Sequence, residues 1–430
     1  STNLNDKQKQ ALNDLINHAQ TKQQVAEIIA QANKLNNDMG TLKTFVEEQS
    51  KVHQQSKYIN EDPQVQNIYN DSIQKGQEIL NGTTDDVLNN NKIADAIQNI
   101  QLTKNDLHGE QKLQKAQQDA NNELNYLTNL NNSQRQSEHD EINSAPSRTE
   151  VSNDLNHAKA LNEVMRQLEN EVALENSVKK LSDFINEDEA AQNEYSTALQ
   201  KAKDIINGVP TSTIDKATIE DALLELQNAR ESLHGEQKLQ EAKNQAVAEI
   251  DHLQALNPGQ VLAEKTLVNQ ASTKPEVQEA LQKAKELNEA MKALKTEIDK
   301  KEQIKADSKY INADSGLQAN YNSALNYGSQ IIATTQPPEL NKDVINRATQ
   351  TIKTAENNLN GQSKLAEAKS DGNQSIDHLQ GLTQSQKDKQ HDLINQAQTK
   401  QHVDDIVNNS KQLDNSMNQL QQIVNNDNTV

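Results

Sequence analysis

The strongest pattern in this chain is a row of apolar residues spaced alternately three and four positions apart, with polar residues between them. Three rows are clear: Val25, Ile28, Ala32, Leu35, Met39, Leu42 and Val46; Val277, Ala280, Ala284, Leu287, Met291, Leu294 and Ile298; Val403, Ile406, Ser410, Leu413, Met417, Leu420 and Ile423. This spacing places the apolar side chains on one face of a helix. A further row, near residue 160, has Asp154 on that face, so we expect looser packing there.

One of these helices is predicted to be long. In the second row it runs from about Pro275 to about Lys309, which at ~1.5 Å per residue is roughly 50 Å. A helix of this length exceeds one small bundle. We therefore expect its first half to pack in one bundle and its second half in the next.

The apolar rows belong to a repeat of 126 residues. The sequence LHGEQKL begins at Leu107 and again at Leu233, and LNGQSKL begins at Leu359. The motif Tyr-Ile-Asn-Glu-Asp at residue 58 returns as Phe-Ile-Asn-Glu-Asp at 184 and Tyr-Ile-Asn-Ala-Asp at 310. The 430 residues hold three periods and 52 further residues. Arrays need the same local packing in each copy, whereas an enzyme usually needs one asymmetric pocket.

Helix-start and helix-stop residues divide each period further. A short helix is predicted after each of the N-cap residues Asn5, Asn131, Asn257 and Thr383. Beyond the long helix, the first period predicts helices at about 62–80, 90–108 and 110–128. The expected inward residues are Ile68, Tyr69, Ile79 and Leu80 in the first of these, and Ile93, Ala96, Ile97, Ile100 and Leu107 in the second.

Glycines mark the ends of these helices. Asn81-Gly82 and Asn207-Gly208 are predicted to stop one helix of the repeat. Gly109, Gly235 and Gly361 are predicted to supply the left-handed residue that ends the next helix. Each period then contains two three-helix bundles. The predicted fold class is all-α, an elongated string of alternating three-helix bundles joined by long shared helices.

Composition excludes several classes of protein. The net charge is −20 without a basic cluster, and the chain has no Trp and two Phe. Nucleic-acid binding needs clustered cations and stacking aromatics, so we do not expect it. No run of 18 apolar residues predicts a membrane span, and no signal peptide or wall-anchoring tail is visible. With no cysteine, the chain has no disulfide, thiolate zinc site or Cys nucleophile.

Recurring polar residues have structural explanations. His108 and His234 share a column with Asn360 and are expected near helix-terminal carbonyls. His391 and His402 are expected on the surface. Asp62, Asp188 and Asp314 are interpreted as helix caps, not catalytic acids. For Tyr69, Tyr195 and Tyr321, a ligand contact is the alternative to a half-buried ring with its hydroxyl at the surface. We predict no catalytic, cofactor-binding or metal-binding residue, and the ligand-binding residues are unknown.

Two module families are similar to this repeat. The YINAD motif at 310, Tyr321 and the A-x-x-x-L-N-G motif at 355–361 resemble the FIVAR module. Asp377-His-Leu-Gln and Leu393-Ile-Asn-Gln-Ala resemble the GA module. Their alternation at this period resembles the repeat region of giant staphylococcal matrix-binding adhesins.

The resemblance assigns the segments. GA-type bundles are expected at 1–50 (with its first helix missing), 110–176, 236–302 and 362–430. FIVAR-type bundles are expected at 51–109, 177–235 and 303–361.

The 3-4 spacing is also compatible with an intermolecular coiled coil. The repeated helix breakers favour intramolecular bundles, so we expect a monomer.

The resemblance implies a cell-wall-associated bacterial surface protein that contacts host matrix proteins such as fibronectin. Albumin is not expected as a partner, because the stretch Lys387-Asp-Lys-Gln-His lacks the aromatic residues that albumin-binding GA modules present there. The alternative function is a purely structural spacer with no ligand of its own. An enzyme, the third alternative, is disfavoured because the residues that recur in the repeat are mostly apolar or turn residues.

Overall fold

The computed structural model of the protein describes residues 1–86 and 88–427, and within them it contains helices, turns and loops but no strand. The all-α prediction is confirmed. The described chain forms two compact units, one made of residues 1–179 and 189–233, the other of residues 180–188 and 234 onwards. Each unit contains several helical bundles and is described by itself. None of the described helices is long and apolar enough to cross a membrane.

The helices follow the 126-residue period. The first period contains α1 (Asp6–His18), α2 (Lys22–Glu47), α3 (Gln49–His53), α4 (Ser56–Ile59), α5 (Pro63–Leu80), α6 (Asn90–Asn105) and α7 (Gly109–Leu124). The second contains α8 (Asn132–Ser144), α9 (Arg148–Ala173), α10 (Glu175–Val178), α11 (Ser182–Ile185), α12 (Glu189–Asn207), α13 (Lys216–Glu231) and α14 (Gly235–Asp251). The third contains α15 (Pro258–Gln270), α16 (Lys274–Asp299), α17 (Lys301–Ala306), α18 (Ser308–Ile311), α19 (Ser315–Ala333), α20 (Lys342–Asn357) and α21 (Gly361–Asp377). The chain continues with α22 (Gln384–Gln396) and α23 (Lys400–Asp427).

Two of the long helices are shared between neighbouring bundles, as expected. Helix α9 packs on α7 and α8 of a GA-type bundle and on α12 and α13 of a FIVAR-type bundle. Helix α16 does the same with α14, α15, α19 and α20. Their apolar rows are buried, with Leu161, Met165, Leu287 and Leu294 at most 1% exposed. Each such side chain contributes about 1.5–3 kcal/mol relative to an exposed one, so one row stabilises two bundles.

The predicted length of the shared helix is wrong. Helix α16 ends at Asp299, not near Lys309, and its 26 residues span roughly 39 Å. Lys300 keeps helical angles, but Asp307 is extended, with ψ of 147°. The Asp307 side chain then accepts the amide of Lys309 and starts α18. This side-chain cap separates α17, which ends at Ala306, from α18.

The inward faces of the FIVAR-type helices are partly as predicted. Ile93, Ile100 and Leu107 are at most 5% exposed, whereas Ile68 is 50% exposed and its predicted inward position is wrong. The buried residues of α5 are Tyr69, Ser72, Ile73 and Gly76. The inward face of α5 therefore follows the three- and four-residue spacing from Tyr69 and does not include Ile68.

The recurring tyrosines are buried completely, so the prediction of a half-buried ring is wrong. Tyr69, Tyr195 and Tyr321 are 0% exposed. The ring of Tyr69 packs on Tyr58 with 6.1 Å between ring centroids, and Tyr321 packs on Tyr310 at 6.0 Å. Burial raises the pKa of Tyr69 and of Tyr321 to about 12. These rings are core residues and do not offer a ligand contact.

Two sets of glycines have different roles. Gly82 and Gly208 have φ of 65° and 67° and stop their helices as predicted. Gly109 does not have a left-handed conformation, so that prediction is wrong: it begins α7 in close contact with α4. A Cβ atom at Gly109 would lie 2.6 Å from the carbonyl oxygen of Lys57 and 2.7 Å from the amide nitrogen of Glu61. Gly235 and Gly361 make the same approach.

We expect Gly109→Ala to destabilise the contact between α4 and α7 by about 1–3 kcal/mol, because the added methyl meets main-chain atoms that cannot rotate away. Hydrogen exchange of the α4 and α7 amides measures the effect. Gly316→Ala is the matched control, since a Cβ there meets nothing within 4 Å; it should be neutral or stabilise by up to ~1 kcal/mol. Equal protection in both variants would contradict the packing role of Gly109.

Candidate functional site

Each FIVAR-type bundle meets the following GA-type bundle through a buried asparagine. Asn60 is 2% exposed. Its Nδ2 donates to the carbonyl of Pro146 at 3.1 Å, and its Oδ1 accepts the amide of Arg148 at 2.8 Å. Nδ2 also donates to Ser56 Oγ at 3.1 Å. The Asn60 carboxamide therefore binds one main-chain carbonyl and one main-chain amide of the turn at the start of α9.

The same bonds recur 126 and 252 residues later. Asn186 donates to the carbonyl of Ser272 at 3.1 Å and accepts the amide of Lys274 at 2.9 Å. Asn312 donates to the carbonyl of Gln398 at 3.1 Å and accepts the amide of Lys400 at 2.9 Å. We call each of these contacts a junction and number the three junctions in chain order. Each lies inside one compact unit.

The first two junctions also contain a buried carboxylate. The Glu61 side chain is 1% exposed and pairs with Lys112, which is 33% exposed. It also accepts the amides of Asp62, at 2.8 Å, and His108. Burial raises the pKa of the Glu61 carboxyl, but the bonds from Lys112 and the two amides outweigh this effect. The pKa of Glu61 is therefore lowered from its ordinary value, and Glu61 is ionised at neutral pH.

The second junction repeats this arrangement. Glu187 pairs with Lys238 and accepts the amides of Asp188, at 2.7 Å, and His234, at 2.6 Å. Burial alone would raise the pKa of Glu187 as well, but the bonds from Lys238 and the two amides outweigh it and lower the pKa from its ordinary value.

The third junction has different chemistry. Ala313 replaces the glutamate, and Asn360 stands where the other copies have histidine. Asn360 Oδ1 accepts the amide of Asp314 at 3.1 Å, and its Nδ2 donates to the Asp314 carboxylate at 2.8 Å. Lys364 pairs with Glu367 instead. A neutral carboxamide thus replaces the ion pair.

The recurring aspartates lie at these junctions. Asp62 and Asp314 are N-cap residues by position, but neither side chain makes a capping hydrogen bond, so that part of the prediction is wrong. Asp62 instead pairs with Lys112 and with Arg148 at 2.8 Å, and Asp188 pairs with Lys238 and Lys274. The nearby cations attract these carboxylates away from the helix start.

The histidine predictions have mixed outcomes. His108 Nδ1 lies 2.6 Å from the carbonyl oxygen of Asp106, as expected for a helix end. His402 is exposed, as predicted. His391 is half-buried and has a carboxylate partner, with Nε2 3.0 Å from Asp377 Oδ1, so its prediction as a simple surface residue is wrong.

The N-caps of the short GA-type helices contact the FIVAR-type bundle in the same repeat. Asn131 caps α8 as predicted, and its Nδ2 donates to the carbonyl of Ile205 at 3.3 Å. Gln134 closes the capping box and donates to the carbonyl of Thr213 at 2.8 Å. In the third period Gln260 donates to Glu339 at 2.7 Å. The other predicted caps, Asn5, Asn257 and Thr383, also accept their helix amides.

The third FIVAR-type bundle has a groove between α19 and α20. It has a volume of about 620 Å³, and its lining includes Leu317, Tyr327 and Arg347. Tyr327 is 49% exposed. The other two copies have Lys75 and Lys201 in place of the tyrosine, and Asp95 and Asp221 in place of the arginine. Tyr and Arg are frequent anchors of protein interfaces, so this groove is a candidate binding surface.

Two known module families together match almost the whole chain. The GA module matches residues 1–38, 110–164, 236–290 and 362–416, and the FIVAR domain matches residues 38–108, 164–234 and 290–360. The chain belongs to the family of GA and FIVAR repeat proteins. The two bundle types described above are therefore the GA module and the FIVAR module. The boundaries of the seven domains expected from the sequence stay a prediction.

Relatives of this repeat protein are giant staphylococcal proteins. The extracellular matrix-binding protein EbhA of Staphylococcus aureus strain N315 is 38% identical over 426 residues, 99% of this chain. The protein ebh of strain JH9 is also 38% identical over 99% of the chain. The chain spans only 6% and 4% of the length of these two relatives.

Solved structures resemble parts of the repeat protein. A crystal structure of EbhA from S. aureus is 27% identical with a TM-score of 0.52, and the match covers 57% of this chain and 98% of that one. A structure of Embp, from a characterisation of Embp-mediated Staphylococcus epidermidis adherence to fibronectin, is 36% identical with a TM-score of 0.28. That match covers 29% of this chain and 99% of the Embp chain.

We expect Glu61→Ala to weaken the first junction of the repeat protein by roughly 1–3 kcal/mol, because the buried amides of Asp62 and His108 lose their acceptor. The double variant Glu61→Ala/His108→Asn reproduces the residues of the third junction. It should restore part of the protection of the Asp62 amide, measured by hydrogen exchange in the full chain. No difference between the single and double variants would contradict the role assigned to Asn360.

The junctions should also respond differently to acid. Because the pKa of Glu61 and of Glu187 is lowered in the folded state, their ionised carboxylates stabilise the fold fully above the ordinary glutamate pKa of about 4.3. This stabilisation is lost as the pH falls through the lowered folded-state pKa. The protection factors of the Asp62 and Asp188 amides should fall in that range, while the Asp314 amide, bonded to Asn360, stays protected. Equal loss at all three amides would contradict the assignment.

Proposed function

We propose that this chain is a repeat segment of a cell-wall-associated bacterial adhesin that spaces modules as a rod and binds host matrix protein through weak, repeated contacts. The observation that carries the proposal is the 38% identity along 99% of the chain to a protein named for extracellular matrix binding. The link between the similar Embp and adherence to fibronectin supports fibronectin as the ligand.

Repetition supports the spacing role. The asparagine bonds of the junction occur three times with the same main-chain partners. Every FIVAR module is therefore held to the next GA module through the same geometry. A chain of modules with equal junctions keeps a regular distance between its surfaces.

Weak contacts on one chain support adhesion by avidity. Once one module binds an immobilised ligand, the effective local concentration of the next module is high. No single deep pocket is needed for this mode of binding. The groove with Tyr327 and Arg347 is the surface that we propose for the strongest single contact, since the equivalent residues of the other FIVAR modules are lysine and aspartate.

We expect surface-immobilised fibronectin to retain the full chain, and an albumin-coated surface not to retain it. The double variant Tyr327→Lys/Arg347→Asp carries the residues of the first two FIVAR modules and should fold normally. Its affinity for fibronectin should fall roughly tenfold, about 1.4 kcal/mol. Biolayer interferometry measures both surfaces.

The matched control is Lys201→Ala/Asp221→Ala, at the same positions of the second FIVAR module, which should keep wild-type affinity. Equal affinity of the groove variant and the wild type would exclude the groove and leave binding elsewhere. If fibronectin retains neither this chain nor longer arrays, the binding role is wrong. The alternative, a purely structural spacer without a ligand, then accounts for the repeat.

A further inference from the structure

The second GA module carries four polar residues at positions that are apolar or neutral in the first. These residues are Glu138 and Glu141 on α8, and Asp154 and His157 on α9. The equivalent residues of the first module are Leu12, Leu15, Ile28 and Gln31, and those of the fourth are Gln390, Leu393, Ile406 and Asn409. The second GA module therefore has three acids and a histidine at positions where the first and fourth modules have apolar or neutral residues. The repeat alone does not explain this difference.

Three of the four side chains converge. Glu138, Glu141 and His157 each offer one ligand atom, and these atoms lie within 4.8 Å of one another. Glu138 and Glu141 are three residues apart on α8, which places them on one helix face, and His157 faces them from α9. In the described part of the chain this is the only such group of three or more His, Cys, Asp or Glu.

Glu138 is the centre of the group. Its side chain is 0% exposed. One oxygen, Oε1, lies 2.9 Å from His157 Nδ1, while Oε2 is buried without a hydrogen-bond partner among the described residues. Buried carboxylates are normally paired or bound to a metal.

The third GA module provides a comparison. It also has a buried glutamate, Glu264, but the other three positions are Leu267, Ala280 and Lys283. Oε2 of Glu264 also lacks a hydrogen-bond partner among the described residues, and Lys283 pairs with Glu279. The third module therefore shares the buried carboxylate but has no second acid and no histidine beside it. Among the described residues, the second module alone adds Glu141 and His157 as further ligands at this point.

We propose that Glu138, Glu141 and His157 of the second GA module bind one divalent transition-metal ion of the zinc class. Zinc accepts mixed carboxylate and imidazole ligands, whereas calcium and magnesium prefer oxygen alone. Tetrahedral zinc with bonds of ~2.0–2.1 Å holds its ligands about 3.3 Å apart, so a small closure of the exposed Glu141 completes three protein ligands. Asp154 lies three residues before His157 on α9, on the same side of the helix.

Such an ion would connect α8 to α9. It would compensate for the acid that Asp154 introduces into the apolar row of the shared helix. Because α9 also packs in the following FIVAR module, metal binding would stabilise a helix common to two modules. This inference does not depend on the proposed binding of matrix protein.

Isothermal titration of the full chain with Zn²⁺ tests the proposal. We expect one ion per chain, and weaker binding by at least about tenfold in His157→Gln, which carries the residue of the first module. Glu141→Leu is a second variant, with the leucine of the other three GA modules, and should have the same effect. Circular dichroism verifies that both variants keep the helical fold.

His391→Gln is the matched control. His391 also faces a carboxylate, Asp377, across two GA helices, but without a second acid nearby. This variant should keep the wild-type affinity. Replacing Zn²⁺ by Co²⁺ should give visible d–d absorption of a nitrogen- and oxygen-bound tetrahedral ion, lost in His157→Gln. No Zn²⁺ binding, unchanged binding in His157→Gln, or equal affinity for Ca²⁺ would each overturn the proposal.

Discussion

A buried asparagine carboxamide at each junction is the interaction on which the arrangement of modules depends. An amide group this deeply buried has to be hydrogen-bonded, because leaving it unsatisfied costs about 1–3 kcal/mol. Asn60 satisfies this requirement with a main-chain carbonyl and a main-chain amide of the next module. The partners at the carbonyl position are Pro146, Ser272 and Gln398. Since the asparagine binds only the main-chain carbonyl of these three residues, their side chains differ between the copies without changing the junction.

The glycine that begins the next helix has the complementary role. Gly109 allows α7 to approach the main chain of α4 closely, and this approach brings Lys112 and the amide of His108 to Glu61. The main-chain contacts of a junction therefore do not depend on which charged side chains surround it. The main-chain contacts are the same in all three, whereas the surrounding charges are an ion pair in two and a carboxamide in the third.

This separation suits an array of weak binding modules. The shared helices and junctions place equivalent surfaces on equal scaffolds, and individual substitutions then change single surfaces. Tyr327 and Arg347 give the groove of the third FIVAR module an aromatic and a cationic side chain, and among the described residues the second GA module alone groups acids and a histidine around Glu138. The groove residues leave the buried tyrosine of that module in place, whereas Glu138 and Asp154 replace apolar residues of the first GA module.

The sequence by itself determined the helical class, the period and the N-caps of the short GA-type helices, because these follow from apolar spacing and local hydrogen bonding; the two bundle types came from the resemblance of the motifs to GA and FIVAR modules. The role of Glu61 was accessible in principle: copies with glutamate have histidine 47 residues later, and the copy with alanine has asparagine. Only the tertiary structure decided that Gly109 serves a close approach and that Tyr69 is fully buried. It alone brought Glu138 to His157. These properties depend on distances between different helices, which spacing along one helix does not specify.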